Sequence, residues 1–252
     1  MLLEADLLGA FEEHCLDGIE KALAAGASAT EPIKGQQPID CFIAGYLRTP
    51  RFAECLRLLM DAGATIDDPL LEAVLLDDGE KLKKHLAGSD RTELTRQLNI
   101  ANAFTSCIGV TALHVCAEFN SVRCAKVLID AGADPNATAD VDDEGFGGQT
   151  PVFHAVNSIF NFCRPVMELL VEAGADLGIR LKGLRWGVGM DWETLILDVT
   201  PISYAQCGLY SQFHRREEDV YRTLGYLYRK EYGTELPLRN VPNRYLTKSV
   251  GP

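Results

Sequence analysis

VTALHVCAEFNSVRCAKVLIDAGADPNA, from Val110 to Ala137, is the stretch that decides the fold. Apolar side chains recur at helical spacing through LHVCAEF and again through CAKVLID. Thr111 stands where a helix needs a cap, and the second run ends at Gly132, a residue free to adopt the left-handed conformation that closes a helix. Outward from this stretch, the phrase Ala-Gly-Ala recurs at 25–27, 62–64 and 173–175, each time after a leucine-rich helical run. Gly26, Gly63, Gly132 and Gly174 are therefore expected at equivalent helix ends. The interval from Gly63 to Gly132 is about twice the others, which predicts a degenerate unit between 68 and 109.

A second punctuation mark precedes the later units: Thr111-Ala-Leu-His114, Thr150-Pro151-Val-Phe153 and Thr200-Pro201-Ile-Ser203. Threonine caps the first helix, and proline at the first helical position has no amide hydrogen to waste. These phrases resemble the TPLHxA signature of ankyrin repeats, and Val110 to Ala137 is similar to that family's pattern almost throughout. Over most of the chain the resemblance implies an all-α ankyrin-repeat solenoid of about six helix-turn-helix units with hairpin loops. Extending the phase sets the units at 1–35, 36–67, 68–109, 110–148, 149–198 and 199–233, with 234–252 as a C-terminal tail. The first three lack the TPLH phrase, and terminal units are expected to be atypical because one face meets water. The final helix, within HRREEDVYRTLGYLYRK, should turn Val220, Leu224 and Leu227 inward and its arginines outward. The resemblance further implies that His114 is a structural ring bonding neighbouring turns. It also implies that Asn136 matches the asparagine read by ankyrin-directed hydroxylases.

The segment from Gly178 to Asp198 is too long for an ordinary connection between such units. LKGLRW and DWETLIL carry aromatic and β-branched residues around a glycine-rich centre, which predicts a projecting β-finger. A two-residue turn at Val188-Gly189 would set Arg185 opposite Trp192; a three-residue turn would set Trp186 opposite Trp192. The acidic hairpin around Asp142, Asp143 and Phe146 should lie alongside. Arg185, Trp186, Asp191, Trp192, Phe146, Asp142 and Asp143 are the candidate partner-binding residues on the fingers, with His154 and Tyr204 in the groove.

Charge and cysteine usage narrow the function. The net charge of −12 opposes binding to nucleic acid and anionic membranes, and no apolar run reaches the ~20 residues of a membrane span. Residues from Thr200 onward carry a small positive excess, so the acidity is concentrated in the first 199. The start, MLLEADLLGAFEE, has acids where a secretory signal has bases and reads as the first helix. Eight cysteines without a CxxC pair suit a reducing cytoplasm.

Catalytic and metal constellations are not legible. The histidines are scattered without HxxxH or HExxH spacing, no GxSxG elbow or phosphate loop occurs, and neither a metal nor a cofactor is expected. DVDDEG, Asp140 to Gly145, begins like a calcium loop, but Pro151 falls where the bidentate glutamate belongs. The sequence thus points to a monomeric, non-catalytic scaffold or adaptor that holds an unidentified protein through its concave groove and hairpin fingers. Two rivals stand beside it. One is an enzyme or small-ligand receptor built on groove residues such as His154, Tyr204 and His214; the other is an acidic inhibitor of a nucleic-acid-binding protein.

Overall fold

A computed structural model describes residues 2–102 and 104–237; from 238 onward the expected tail lies outside the described residues. Helices follow one another in pairs: α1 (Leu2–Glu13) and α2 (Leu16–Ala24), α3 (Pro38–Ala44) and α4 (Phe52–Asp61), α5 (Pro69–Leu75) and α6 (Gly79–Ala87), α7 (Ala112–Phe119) and α8 (Val122–Asp130), α9 (Pro151–Ala155) and α10 (Arg164–Glu172). After α10 come strands β1 (Leu181–Trp186) and β2 (Thr194–Val199), then α11 (Pro201–Cys207) and α12 (Glu217–Tyr232). First helices stack on first helices, as α5 on α7 and α7 on α9, and second on second, as α6 on α8 and α8 on α10. This is a helical repeat solenoid, in which successive pairs stack their apolar ridges against one another.

The glycine punctuation has a common geometry. Gly26, Gly63, Gly132 and Gly174 follow the last residues of α2, α4, α8 and α10 with φ of 103°, 102°, 92° and 93°. In each case the glycine amide donates three residues back, and the following alanine amide donates five residues back, as Gly132 to Ile129 and Ala133 to Leu128. Both bonds satisfy carbonyls that the helix end would otherwise strand.

The threonine punctuation is less uniform. At α11, Thr200 Oγ1 accepts from the Ser203 amide at 3.2 Å while Ser203 Oγ accepts from the Thr200 amide at 2.8 Å. At α7 the His114 ring replaces the serine: its Nδ1 accepts from the Thr111 amide at 3.0 Å, and its Nε2 donates to the Gln149 carbonyl of the next unit at 2.9 Å. Thr150 departs from the expectation. It holds the cap position before Pro151, but its hydroxyl is buried without a hydrogen-bond partner.

β1 and β2 pair antiparallel, with Arg185 opposite Leu195 and Trp186 opposite Thr194. Neither expected turn is present, because residues 187–193 form a longer connection. Trp192 folds back within it, its ring centroid 5.0 Å from that of Trp186. Gly187 makes room for this: a Cβ there would lie 2.1 Å from the Trp192 ring. The acidic hairpin lies against β1, with the Gly147 amide donating to the Gly183 carbonyl at 2.9 Å. In α12, Val220, Leu224 and Leu227 are buried and Arg222 and Arg229 exposed, whereas Arg215, just before it, turns inward.

Candidate functional site

Two places gather side chains beyond what packing requires. The first lies over the ends of α7 and α9. Glu118, in the last turn of α7, and His154, on α9, face one another with Nδ1 and Oε2 3.2 Å apart. Four separate segments close over them. The connection from α3 to α4 brings Tyr46 and Arg48; the connection from α6 to α7 brings Asn102, Phe104 and Cys107. The end of β1 brings Trp186, and the turn before α12 brings Phe213 and Arg215. Ring contacts join the cover: Tyr46 to Phe104 at 4.4 Å, Phe104 to Trp186 at 5.2 Å, and Trp186 stacked on Phe213 at 4.1 Å. Beneath them is a cavity of about 50 Å³ bordered by Tyr46, Arg48, Glu118, His154, Trp186 and Arg215.

Arg48 is the anchor of this cluster. It is 7% exposed, and its guanidinium donates to the carbonyls of Leu47 at 3.0 Å and Gly45 and to Asn102 Oδ1 at 2.8 Å. It also sits 3.5 Å from Glu118 Oε1 and 4.2 Å over the Phe119 ring. Burying a guanidinium and a carboxylate together is tolerable only with this density of partners. Burial pushes the Glu118 pKa up, but contact with His154 and Arg48 holds it below the usual carboxylate value. Burial alone would lower the His154 pKa; the Cys107 sulfur and the Glu118 carboxylate reverse that and raise it to about 10. His154 Nε2, by contrast, is buried with no hydrogen-bond partner, so every polar contact of the ring is on its Nδ1 side. Cys107 Sγ, 4.0 Å from Nδ1, completes a trio whose donor atoms all lie within 4.8 Å of one another.

Two expectations are corrected here. His154 and Tyr204 were expected to face a partner in the groove, but both are buried beneath the cover. Trp186 was expected on an interface and is 3% exposed, because its ring fills the space between Phe104 and Phe213. His214 is exposed and does not border the cavity. Arg48, Glu118, Cys107 and Arg215 carry no sequence signal that unites them, since they come from four connections or helices with no common spacing.

The second place is on the hairpins. Arg185 links the two, pairing with Asp142 at 3.1 Å, with Glu193 at 3.0 Å and with Glu144. Its guanidinium lies 5.2 Å from the Phe146 ring centroid, so the expected cation-to-ring contact exists but is made to Phe146. Asp143 and Asp191 are exposed at the tips. Beside them Ile108, Val141, Val188, Met190 and Trp192 are each more than 40% exposed. Ile108, Val141 and Val188 rim one cleft of about 210 Å³ that has Phe146 and Arg185 in its wall. Elsewhere, Asn136 bridges to the following unit, donating to the Gly174 carbonyl at 3.0 Å and accepting from the Asp176 amide at 2.7 Å.

Residues 70–180 match a family described as ankyrin repeats, in three copies. A stretch of 69 residues is 35% identical to the B-cell lymphoma 3 protein of Homo sapiens, covering 27% of this chain and 14% of that protein's length. Among the described residues no helix is long and apolar enough to cross a membrane.

Proposed function

We propose that this chain, whose residues 70–180 match ankyrin repeats, is an ankyrin-repeat protein along its length and a non-catalytic module holding a partner protein on its hairpin fingers. Ankyrin repeats as a class mediate protein-protein interaction, and the helix pairs outside 70–180 are read here as further units of the same array, six in all. The observation that carries the reading is the exposed apolar side chains of Ile108, Val141 and Val188 around one cleft, with Met190 and Trp192 exposed on the same connection as Val188. Isolated exposed apolar residues are ordinary, but a contiguous group rimmed by charge is a feature of interaction surfaces. Arg185 and its three carboxylates brace the two fingers against each other, so the surface is ordered before a partner arrives. With the groove over α7 and α9 covered by the chain's own segments, the β-finger and the acidic hairpin are the surface of choice.

On this reading the protein works as a monomer in the reducing cytoplasm, with the partner presenting an apolar patch and basic groups toward Asp143 and Asp191. The test is affinity capture of a partner from native lysate, followed by binding with Trp192→Ala and Val188→Asp. Binding reduced at least tenfold with the melting temperature held within about 2 °C supports the finger surface. Unaltered binding by both variants sinks it. Binding that survives both variants but collapses between low and high salt would favour the acidic-inhibitor reading instead.

A further inference from the structure

We propose that Cys107 Sγ, Glu118 Oε2 and His154 Nδ1 form a binding site for one zinc-type divalent cation, its fourth position completed from the adjoining cavity. The donor set is a thiol, a carboxylate and an imidazole, the three ligand types zinc takes from proteins. Nδ1 lies 3.2 Å from Oε2 and 4.0 Å from Sγ. Tetrahedral coordination with bonds of ~2.0–2.3 Å places donors roughly 3.3–3.8 Å apart, so the two pairs made by Nδ1 need movements of only a few tenths of an ångström, and Sγ and Oε2, within 4.8 Å of each other, close by about 1 Å at most. Nδ1 is within polar-contact distance of both Oε2 and Sγ, so the three donor atoms already converge.

The surroundings hold the three donors in register. Arg48 engages Oε1 and leaves Oε2 toward the histidine. Asn102 accepts from Arg48 and donates to Cys107 Sγ at 3.5 Å, tying the sulfur to the same anchor. Such outer contacts orient ligands in metal sites and fix their rotamers before metal binds. The Cys163 thiol, near the cluster, donates instead to the Glu118 carbonyl at 3.4 Å and is not part of the set.

Charge favours the ion despite Arg48. With Cys107 a thiol and His154 an imidazolium beside Glu118, the two charges of the cation replace two protons, so binding adds no net buried charge. On binding, the Cys107 thiol proton and the Nδ1 proton of the imidazolium pass to solvent as the sulfur, nitrogen and oxygen bonds to the metal form, and Nε2 keeps its proton. No electron is transferred. Three protein ligands and an open fourth position describe a site that can also accept an anionic group from outside.

The inference stands independently of the partner reading, and its test needs no partner. The full chain is stripped with a chelator under reducing conditions and titrated with cobalt(II), which reports tetrahedral thiolate coordination by visible ligand-field bands and a near-ultraviolet charge-transfer band. The expected result is saturation at one equivalent, with zinc displacing cobalt and erasing both signals. Cys107→Ser should lose the charge-transfer band, His154→Gln should weaken cobalt binding at least tenfold, and Cys41→Ser should retain the band. No thiolate band at one equivalent overturns the proposal, as does a band that survives Cys107→Ser or disappears with Cys41→Ser. Should Cys107→Ser fail to fold by circular dichroism, alkylation of the wild type decides: zinc should protect Cys107 alone among the eight cysteines. Protection of another cysteine, or of none, overturns the assignment.

Discussion

The repeats that begin at Thr111 and Thr150 carry their histidines one position apart, and that single step gives the two rings opposite chemistry. His114 is the fourth residue of its phrase, whereas Phe153 holds the fourth place in the next unit and His154 the fifth. One residue along an α-helix is a rotation of ~100°. His114 therefore points along the stack, held between Thr111 and the Gln149 carbonyl, and burial followed by repulsion from His154 lowers its pKa to about 3. His154 turns toward the cavity and meets Glu118 and Cys107. The rings are 5.6 Å apart, so the contrast comes from direction rather than location. In a repeat array, the position within the phrase decides whether a polar residue serves the fold or the cavity.

Four measurements can break or sharpen this contrast. The largest effect is expected from Glu118→Ala, which strands the buried Arg48 guanidinium without its carboxylate. A loss of about 3–5 kcal/mol in denaturant unfolding is expected. A loss below about 1 kcal/mol would mean that the backbone carbonyls around Arg48 suffice. His114→Ala comes next, at about 2 kcal/mol, because it leaves the buried Thr111 amide without an acceptor and takes from the Gln149 carbonyl one of its two donors, the other being the Ala139 amide. His154→Phe in the metal-free protein should cost clearly less. The reverse order would refute the division between a structural and a cavity histidine.

The third measurement is the pH dependence of stability. Burial and then the Arg48 charge lower the His14 pKa to about 4, and His114 lies lower still. The folded state refuses protons that the unfolded chain accepts below about pH 6.5. Stability from these groups is thus present above that pH and is lost as pH falls toward 4, by about 1.4 kcal/mol per pH unit for each proton. His14→Gln should flatten the decline of melting temperature between pH 6.5 and 5; an unchanged slope would show that His14 is not held neutral. The smallest effect tests the shared punctuation. Gly132→Ala and Gly174→Ala should each cost on the order of 1 kcal/mol, since both glycines hold positive φ, and unequal costs would deny their equivalence.

The repeat was legible because its marks are local. A glycine after a leucine-rich run and a threonine before a short helix act within five residues, so their geometry is written beside them. The two strands around a glycine centre were legible, but their register was not, since Trp192 folds back over Gly187 through a contact that no turn rule encodes. The covered cluster was illegible for a deeper reason. Arg48 and Glu118 meet across 70 positions, and each reads alone as an ordinary surface charge. Only the closing of four connections over one helix end makes them a unit. Phe104 illustrates the point: it sits in an irregular stretch, yet its ring touches Tyr46, Trp186 and Trp192.

The cover also joins the beginning of the array to its end. Tyr46, between α3 and α4, donates to the Phe213 carbonyl at 3.3 Å and receives a hydrogen bond from Arg215, across separations of 167 and 169 residues. An open solenoid contacts only its neighbours, so it can nucleate anywhere and fray one repeat at a time. A chain whose second and last helix pairs are bonded to each other has closed a long loop. Its closure entropy is spent before the contact is gained, which raises contact order and slows folding. Once formed, the tie couples the end units, so the array should melt as one body rather than unzip from a terminus.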